Sequence, residues 1–427
     1  MSCAPIRTQP SAARRATTAP ADHAPDDDAL AADLVDLVIR ELSIHKRPRE
    51  VRFVDRPAAQ RDGQGPEDPP ALLTTVYFAL RCQACSGLPR EEARRSGTTA
   101  TPPPRACAAD SREPGEPAYG GGMPSLRHRA IVAALTHTPL GRRPQDEAGM
   151  DAEMQAAQLR PRRFAPPRSL DRHVALRLLR DHGWRTYELA PRGAALPQRR
   201  VVYFHGGGYV AEVDPHHWGL TRRLATSAPA RVLVPIYPLA PGAHADTTVP
   251  TAADIVADVV AEAGDPRLVT LCGDSAGGGM ALAVAQTLRD RGIADIDGVA
   301  LILIAPWLDV TMSDPAIDPE ATRDPMLSIA RLRRAGELYA GPLDLRDPRV
   351  SPIYGSVAGL GPMTIFVGTR DLLLHDARRL REAAEAHGIQ VDYHEAEGLI
   401  HVWPILRVPE AAAARAHMVT AIRRSQR

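Results

Sequence analysis

Six short apolar runs, "RVVYF", "RVLVPIY", "RLVTLC", "VALILIA", "MTIFVG" and "VDYHEA", recur between residues 200 and 396, and stretches of helical periodicity fill most of the gaps between them. The helical stretches "TAADIVADVVAEA", "GMALAVAQTLRDRG" and "HDARRLREAAEAHG" carry apolar side chains every three to four residues. Nearly continuous apolar strands alternating with such helices belong to a parallel sheet covered on both faces. Upstream, "HVALRLL", the turn "RDHG" and "WRTYEL" read as a hairpin because Val174, Leu176 and Leu178 alternate, although a helix suits "HVALRLL" nearly as well. The expected class is α/β, with reactive groups just beyond the carboxyl ends of the strands.

The 427 residues leave room for more than this sheet. Residues 1–122 are rich in Pro, Gly, Ser and Arg and hold two short apolar periods, "ADLVDLVIREL" and "ALLTTVYFALR", without an evident partner. Such a segment buries too little apolar area to offset its conformational entropy, so a low-complexity, disordered leader is expected. Patterned sequence begins at Met123, which marks that methionine as a candidate for the authentic start. Residues 123–168 carry "SLRHRAIVAALTH" and "MDAEMQAAQLR" at helical spacing before a Pro-rich linker, and residues 169–427 make up the main domain.

Charge excludes some partners. Basic and acidic residues number 52 and 51, a net charge of +1, so no global field draws in nucleic acid or an anionic membrane. No apolar stretch approaches the length of a membrane span and the N-terminus has no signal-like apolar region, which makes a cytoplasmic protein the default expectation, with a homodimer compatible. An odd count of five cysteines without a secretion signal argues against a disulfide framework. Cys82 and Cys85 lack the second pair a zinc site needs, and Cys272 reads as a small buried apolar residue. No metal or cofactor is expected.

The most informative turn is "LCGDSAGGG". Ser275 stands between a buried strand and a helix, where a tight turn lifts its hydroxyl above the sheet edge. Gly273 and Gly277 flank it, with Asp274 preceding it, at positions where a Cβ would collide across the turn. A phosphate cradle also joins strand, glycines and helix, but GxGxxG and GxxxxGK[ST] are both absent. A second element, His205-Gly206-Gly207-Gly208, follows an earlier strand, where backbone amides free of side chains could bind an oxyanion. Gly206 and Gly207 would supply two donors and Ala276 the third, with His205 fixing the loop by hydrogen bonding.

In order along the chain, "HGGGYV", "GDSAGG", "APWLD", "DPRVSPIYG", "VGTRDLLLHDA" and "GLIHVWP" resemble the motifs of the hormone-sensitive-lipase-like family of α/β-hydrolases, in particular its bacterial carboxylesterases. The similarity covers residues 125 to 425. It implies the α/β-hydrolase fold, a mostly parallel eight-stranded sheet with helices on both faces, and a helical cap to which residues 123–168 and the insertion between Val310 and Asp347 contribute. It further implies cofactor-free hydrolysis of a small-molecule acyl ester, of short to medium chain length, through an acyl-enzyme.

A serine hydroxyl needs a base, itself oriented by a carboxylate. Of fifteen histidines, His387 ends a helix on the wrong side of the sheet and His394 lies within a strand, whereas His401 follows that strand at its carboxyl end and matches the family's base. Asp371 follows "MTIFVGTR" at the same edge, while Asp376 is already helical. The expected triad is Ser275, His401 and Asp371, with Asp309 and Asp347 structural. Tyr209, His216, His217 and Trp218 are candidates for the alcohol side of the pocket. Two further readings are a non-catalytic small-molecule receptor and a lactone hydrolase or peptidase with the same triad. Gibberellin receptors related to this family have lost the histidine that His401 provides here, and no repeated blade pattern suggests a gated peptidase.

Overall fold

The alternation of Val174, Leu176 and Leu178 folds as a strand. In the computed structural model, which describes residues 123–137, 147–160, 164–193, 195–293 and 295–424, β1 (Val174–Asp181) pairs antiparallel with β2 (Trp184–Pro191). The turn places His182 and Gly183 at φ 48° and 86°, the positive values a tight two-residue hairpin requires. The leader 1–122, with its two apolar periods and Cys3, Cys82, Cys85 and Cys107, lies outside the described residues.

All six apolar runs form strands: β3 (Arg200–Phe204), β4 (Arg231–Ile236), β5 (Val269–Asp274), β6 (Ala300–Ile304), β7 (Met363–Arg370) and β8 (Val391–Ile400). They join the hairpin in one eight-stranded sheet of order β1-β2-β4-β3-β5-β6-β7-β8. The pairings of β2 with β1 and β4 are antiparallel, and β4 through β8 pair in parallel, so this is the expected α/β-hydrolase fold.

Among the described residues the α-helices longer than four residues are α1 (Leu126–His137), α2 (Glu147–Leu159), α3 (Pro215–Ser227), α4 (Ala245–Ala263), α5 (Ala276–Asp290), α6 (Ile329–Ala340), α7 (Leu374–Ala386) and α8 (Glu410–Arg424). Strand periodicity sorts the core into two layers. Val202, Phe204, Leu301 and Leu303 pack with α4, α5 and α7, whereas Val201, Tyr203, Ile302 and Ile304 pack with α3 and α8. Helix α4 begins six residues before the predicted Thr251 and continues through Pro250, because Ala245, Thr248 and Val249 are already buried against the sheet. Helix α3 was not predicted, although Asp214 caps it by accepting from the amides of His216 and His217 and Pro215 follows as the first helical residue.

Two segments outside the sheet meet each other. Arg334 on α6 forms a two-pronged pair with Asp151 on α2, both contacts at 2.7 Å, and Arg331 reaches Glu153 at 2.9 Å.

Helix α5 lies so close to the sheet that Gly277 admits no side chain: an added Cβ would stand 2.0 Å from the carbonyl oxygen of Phe204 on β3. Backbone on both sides cannot yield cheaply. Gly277→Ala should therefore destabilise the fold by about 3 kcal/mol or more, a drop of roughly 5–10 °C in Tm by thermal unfolding. An unchanged Tm would contradict this packing.

Candidate active site

Strand β5 ends at Asp274, α5 starts at Ala276, and Ser275 makes the whole turn between them at φ 53° and ψ −122°. A non-glycine residue in that region costs on the order of 1–3 kcal/mol and persists only where its surroundings hold it. Here Ser275 N donates to Ile304 O at 2.8 Å, and Ser275 O accepts from Gly278 N and Trp307 N, both at 3.0 Å. At Gly273 a Cβ would meet Gly277 O at 2.2 Å, so the turn closes only with glycine there.

The hydroxyl lifted by this turn meets two side chains from other strand ends. His401 Nε2 lies 2.9 Å from Ser275 Oγ, and His401 Nδ1 lies 2.9 Å from Asp371 Oδ2. Asp371 directly follows β7, and its other oxygen accepts from Leu373 N at 2.9 Å, which fixes the carboxylate. His401 directly follows β8. A neutral imidazole protonated on Nδ1 donates to Asp371 and accepts from the serine hydroxyl. Burial alone would depress the imidazole pKa. The charge and hydrogen bond of Asp371, joined by Asp324 and Asp274, outweigh burial and hold it above the ordinary value. This is the electrostatic condition for receiving a proton from a hydroxyl.

The glycine loop after β3 is built around Asp274. Gly206 was expected to aim its amide at substrate; instead it donates to Asp274 Oδ1 at 3.0 Å, because a buried carboxylate must be supplied with donors. Tyr203 OH donates to the same oxygen, and His217 Nε2 reaches the other at 3.3 Å. His217 Nδ1 lies 2.8 Å from Asp214 N and 3.1 Å from Asp214 Oδ1; burial would depress this imidazole, but the carboxylates of Asp274 and Asp214 push it up to about 10, so it carries a proton on Nε2, facing Asp274. Burial pushes the carboxyl of Asp274 up, but these partners bring it below the ordinary range, so it stays ionised. Gly207 and Gly208 stand at φ 121° and 62°.

His205 braces the loop from behind. Its Nδ1 lies 2.7 Å from Gly206 O, Tyr237 OH donates to its carbonyl at 2.6 Å, and the two rings stack at 4.3 Å. Burial pushes its pKa down to about 4, so the ring is neutral and its contacts are local.

The remaining candidates separate clearly. Tyr209 is buried and stacks on Tyr339 at 3.6 Å, Trp218 is buried with Nε1 donating to Phe164 O at 3.1 Å, and His216 is exposed. Asp309 accepts from Thr311 N and Tyr354 OH, and Asp347 pairs with Arg349, as structural residues would. Asp376 accepts from Leu308 N and Asp309 N, and burial together with Asp309 pushes its pKa up to about 7. His387 caps α7 and His394 lies inside β8. Cys272 is buried. Two residues beside the site were not anticipated. His128 on α1 accepts from Ile400 N at 3.3 Å, and Asp324 accepts from Leu372 N at 3.1 Å, so each touches the backbone next to a loop residue distant in the chain, His401 or Asp371 respectively.

Among the described residues no cluster of three or more His, Cys, Asp or Glu is arranged to hold a metal ion, and no helix is long and apolar enough to cross a membrane. Fold and site geometry together define an α/β-hydrolase. A family profile described as the alpha/beta hydrolase fold matches residues 201–405. An acetyl-hydrolase of Streptomyces hygroscopicus is 35% identical over 212 residues, 50% of this chain and 70% of that protein. An esterase of Acinetobacter venetianus is 28% identical over 246 residues, 57% of this chain and 80% of its own. A solved hormone-sensitive lipase from a metagenome library, 28% identical, superposes with a TM-score of 0.59 over 70% of this chain and 97% of that one. The chain belongs to the hormone-sensitive-lipase-like family of α/β-hydrolases, and its class is carboxylic ester hydrolase.

The role of Asp274 can be measured directly. Asp274→Ala strands the Gly206 amide, the Tyr203 hydroxyl and the His217 Nε2 proton in the core, and should lower stability by about 3 kcal/mol or more. Urea unfolding of the two proteins reads this out. A midpoint equal to that of the unaltered chain would refute the network.

Proposed function

We propose that the chain is a serine carboxylesterase that cleaves acyl esters of short to medium chain length through an acyl-enzyme. The observation that carries this reading is the continuous line of contacts from Ser275 Oγ through His401 to Asp371, both at 2.9 Å. Ser275 attacks the ester carbonyl as His401 Nε2 takes the hydroxyl proton, and Asp371 orients the imidazole and balances its charge. The tetrahedral oxyanion is met by the amides of Gly207, Gly208 and Ala276, since the Gly206 amide is committed to Asp274. Ala276 opens α5, whose N-terminal dipole favours negative charge at that point. His401 then returns the proton to the departing alcohol. Water, deprotonated by the same imidazole, attacks the acyl-enzyme, releasing the acid and restoring Ser275.

The acyl preference draws on the Streptomyces relative, whose name specifies acetyl hydrolysis. Helices α1 and α2 and the insertion 311–346 are assigned to the cap of this enzyme; the Arg334–Asp151 and Arg331–Glu153 pairs, which tie α2 to α6 of the insertion, support the assignment of α2.

Ser275→Ala should lower kcat for p-nitrophenyl esters on the order of a million-fold, and an organophosphonate should label the unaltered chain at Ser275 alone. Labelling that survives Ser275→Ala would contradict the assignment. Across a series of p-nitrophenyl esters of increasing acyl length, kcat/KM should peak at acetate to hexanoate; tight binding without turnover of any ester would instead favour a receptor.

A further inference from the structure

We propose that Asp324, in the segment between β6 and α6, is a positioning residue for the acid–base pair: its carboxylate fastens the turn carrying Asp371 and sets a second negative charge toward the His401 imidazole. The inference rests on the triad reading above. Asp324 Oδ1 accepts from the amides of Met326 at 2.7 Å and Leu327 at 3.0 Å, a turn formed by the side chain with its own following backbone. Asp324 Oδ2 is thereby aimed away from its own segment and accepts at 3.1 Å from the amide of Leu372, the residue directly after Asp371. The contact is reciprocated one position earlier on the insertion and two earlier on the other segment, with Arg370 Nη2 donating to Arg323 O at 2.8 Å. The two segments therefore grip each other by side chain to backbone in both directions, on either side of Asp371. Arg323 takes φ 47° to allow this approach, a left-handed value unusual for a residue with a side chain.

A clamp alone would not need a charge. The charged groups facing the imidazole from the elements packed around it are Asp371 on the β7–α7 turn, Asp324 on the insertion and Asp274 at the end of β5. Asp324 in turn faces Asp371 and His401, and burial, followed by the charge of Asp371, pushes its carboxyl up to about 6. It is ionised at neutral pH, where it favours imidazolium over imidazole and so assists the proton transfer from Ser275. Both oxygens are used, one by the Asx-type turn and one by Leu372. An asparagine has a single acceptor oxygen, so it would serve either the two turn amides or that of Leu372 but not both sets, and it would carry no charge.

The sign of the effect follows. Ionised Asp324 raises the pKa of His401, and kcat/KM requires the neutral base in the free enzyme, so removing the charge must move the acid limb of the pH profile downward. With p-nitrophenyl acetate and the full chain, Asp324→Asn should lower kcat about tenfold with KM changed less than about threefold, and shift the acid limb of kcat/KM down by about half a pH unit or more. Asp324→Glu, which keeps the charge on a longer arm, should leave the limb in place while kcat falls. An acid limb unmoved in Asp324→Asn overturns the inference whatever happens to kcat. If that variant does not fold, Asp324→Glu decides: an unmoved limb with reduced kcat supports the inference, and a lowered limb overturns it. Ser275→Ala separates the two levels, because an inactive Ser275→Ala beside an unmoved Asp324→Asn limb sinks only this inference, whereas an active Ser275→Ala sinks the triad and this inference with it.

Discussion

The carboxylate of Asp274 is the contact on which the site is assembled. It lies at the end of a central strand, one residue before the strained serine, and accepts from Gly206 on the neighbouring glycine loop and from Tyr203 and His217. A buried ionised group without donors would be strongly unfavourable, so the fold is stable only when all these partners are in place. That requirement registers two loops 68 residues apart in the chain against each other. It also commits the amide of the first glycine of the loop to structure, which is why the proposed mechanism draws its donors from Gly207 and Gly208 instead.

The meeting of Ser275, Asp371 and His401 is a consequence of parallel pairing. Each of β5, β7 and β8 runs in the same direction, so the residue following each emerges at one edge of the sheet. Strands β7 and β8 are neighbours, which places Asp371 and His401 side by side. The serine lies two strands away from β7, and β6 must not obstruct the space between. It ends at Ile304; Ala305 follows at φ 46°, with its amide donating to Phe366 O, and the chain turns off through Pro306. The carbonyl of Ile304 then holds the amide of Ser275. The intervening strand thus braces the Ser275 turn from the side and leaves its upper edge clear.

Much of this was legible in the sequence because it is written in local patterns. Apolar runs located the strands, and GDSAG with its flanking small residues located the turn, since only glycine tolerates a backbone approach such as that of Gly277 to Phe204. Chain order and strand ends, together with the resemblance of GLIHVWP and VGTRDLLLHDA to the family's motifs, selected His401 and Asp371. What escaped depends on contacts between distant segments. The destination of the Gly206 amide depends on Asp274 crossing to another loop, which no local pattern encodes. The "RDP" of Asp324 signals a turn, but not that its second oxygen faces a backbone amide 48 residues away. His128 sits on a helix with no neighbouring polar motif, and its link to Ile400 spans 272 residues. Helix α4 ran longer than predicted because tertiary burial outweighed the local cost of Pro250.

The segments outside the sheet are joined at the backbone to the loops that carry His401 and Asp371, as well as to each other. From one side His128 receives the amide of Ile400, immediately before His401, and Ser125 binds Glu410 on α8 through both its amide and its hydroxyl. From the other, Asp324 and Arg323 grip the turn around Asp371. Burial depresses the pKa of His128, which keeps the ring neutral and able to accept from Ile400. A histidine carrying charge there would have no lone pair to offer. The sheet brings Asp371 and His401 to the same edge, but a hydrogen-bonded pair supports proton transfer only when both side chains are held to a fraction of an ångström, and loops seldom achieve that unaided. Here each loop is fixed by a segment that lies outside the sheet, so the geometry of the His401–Asp371 pair depends on residues whose sequence carries none of the family's motifs.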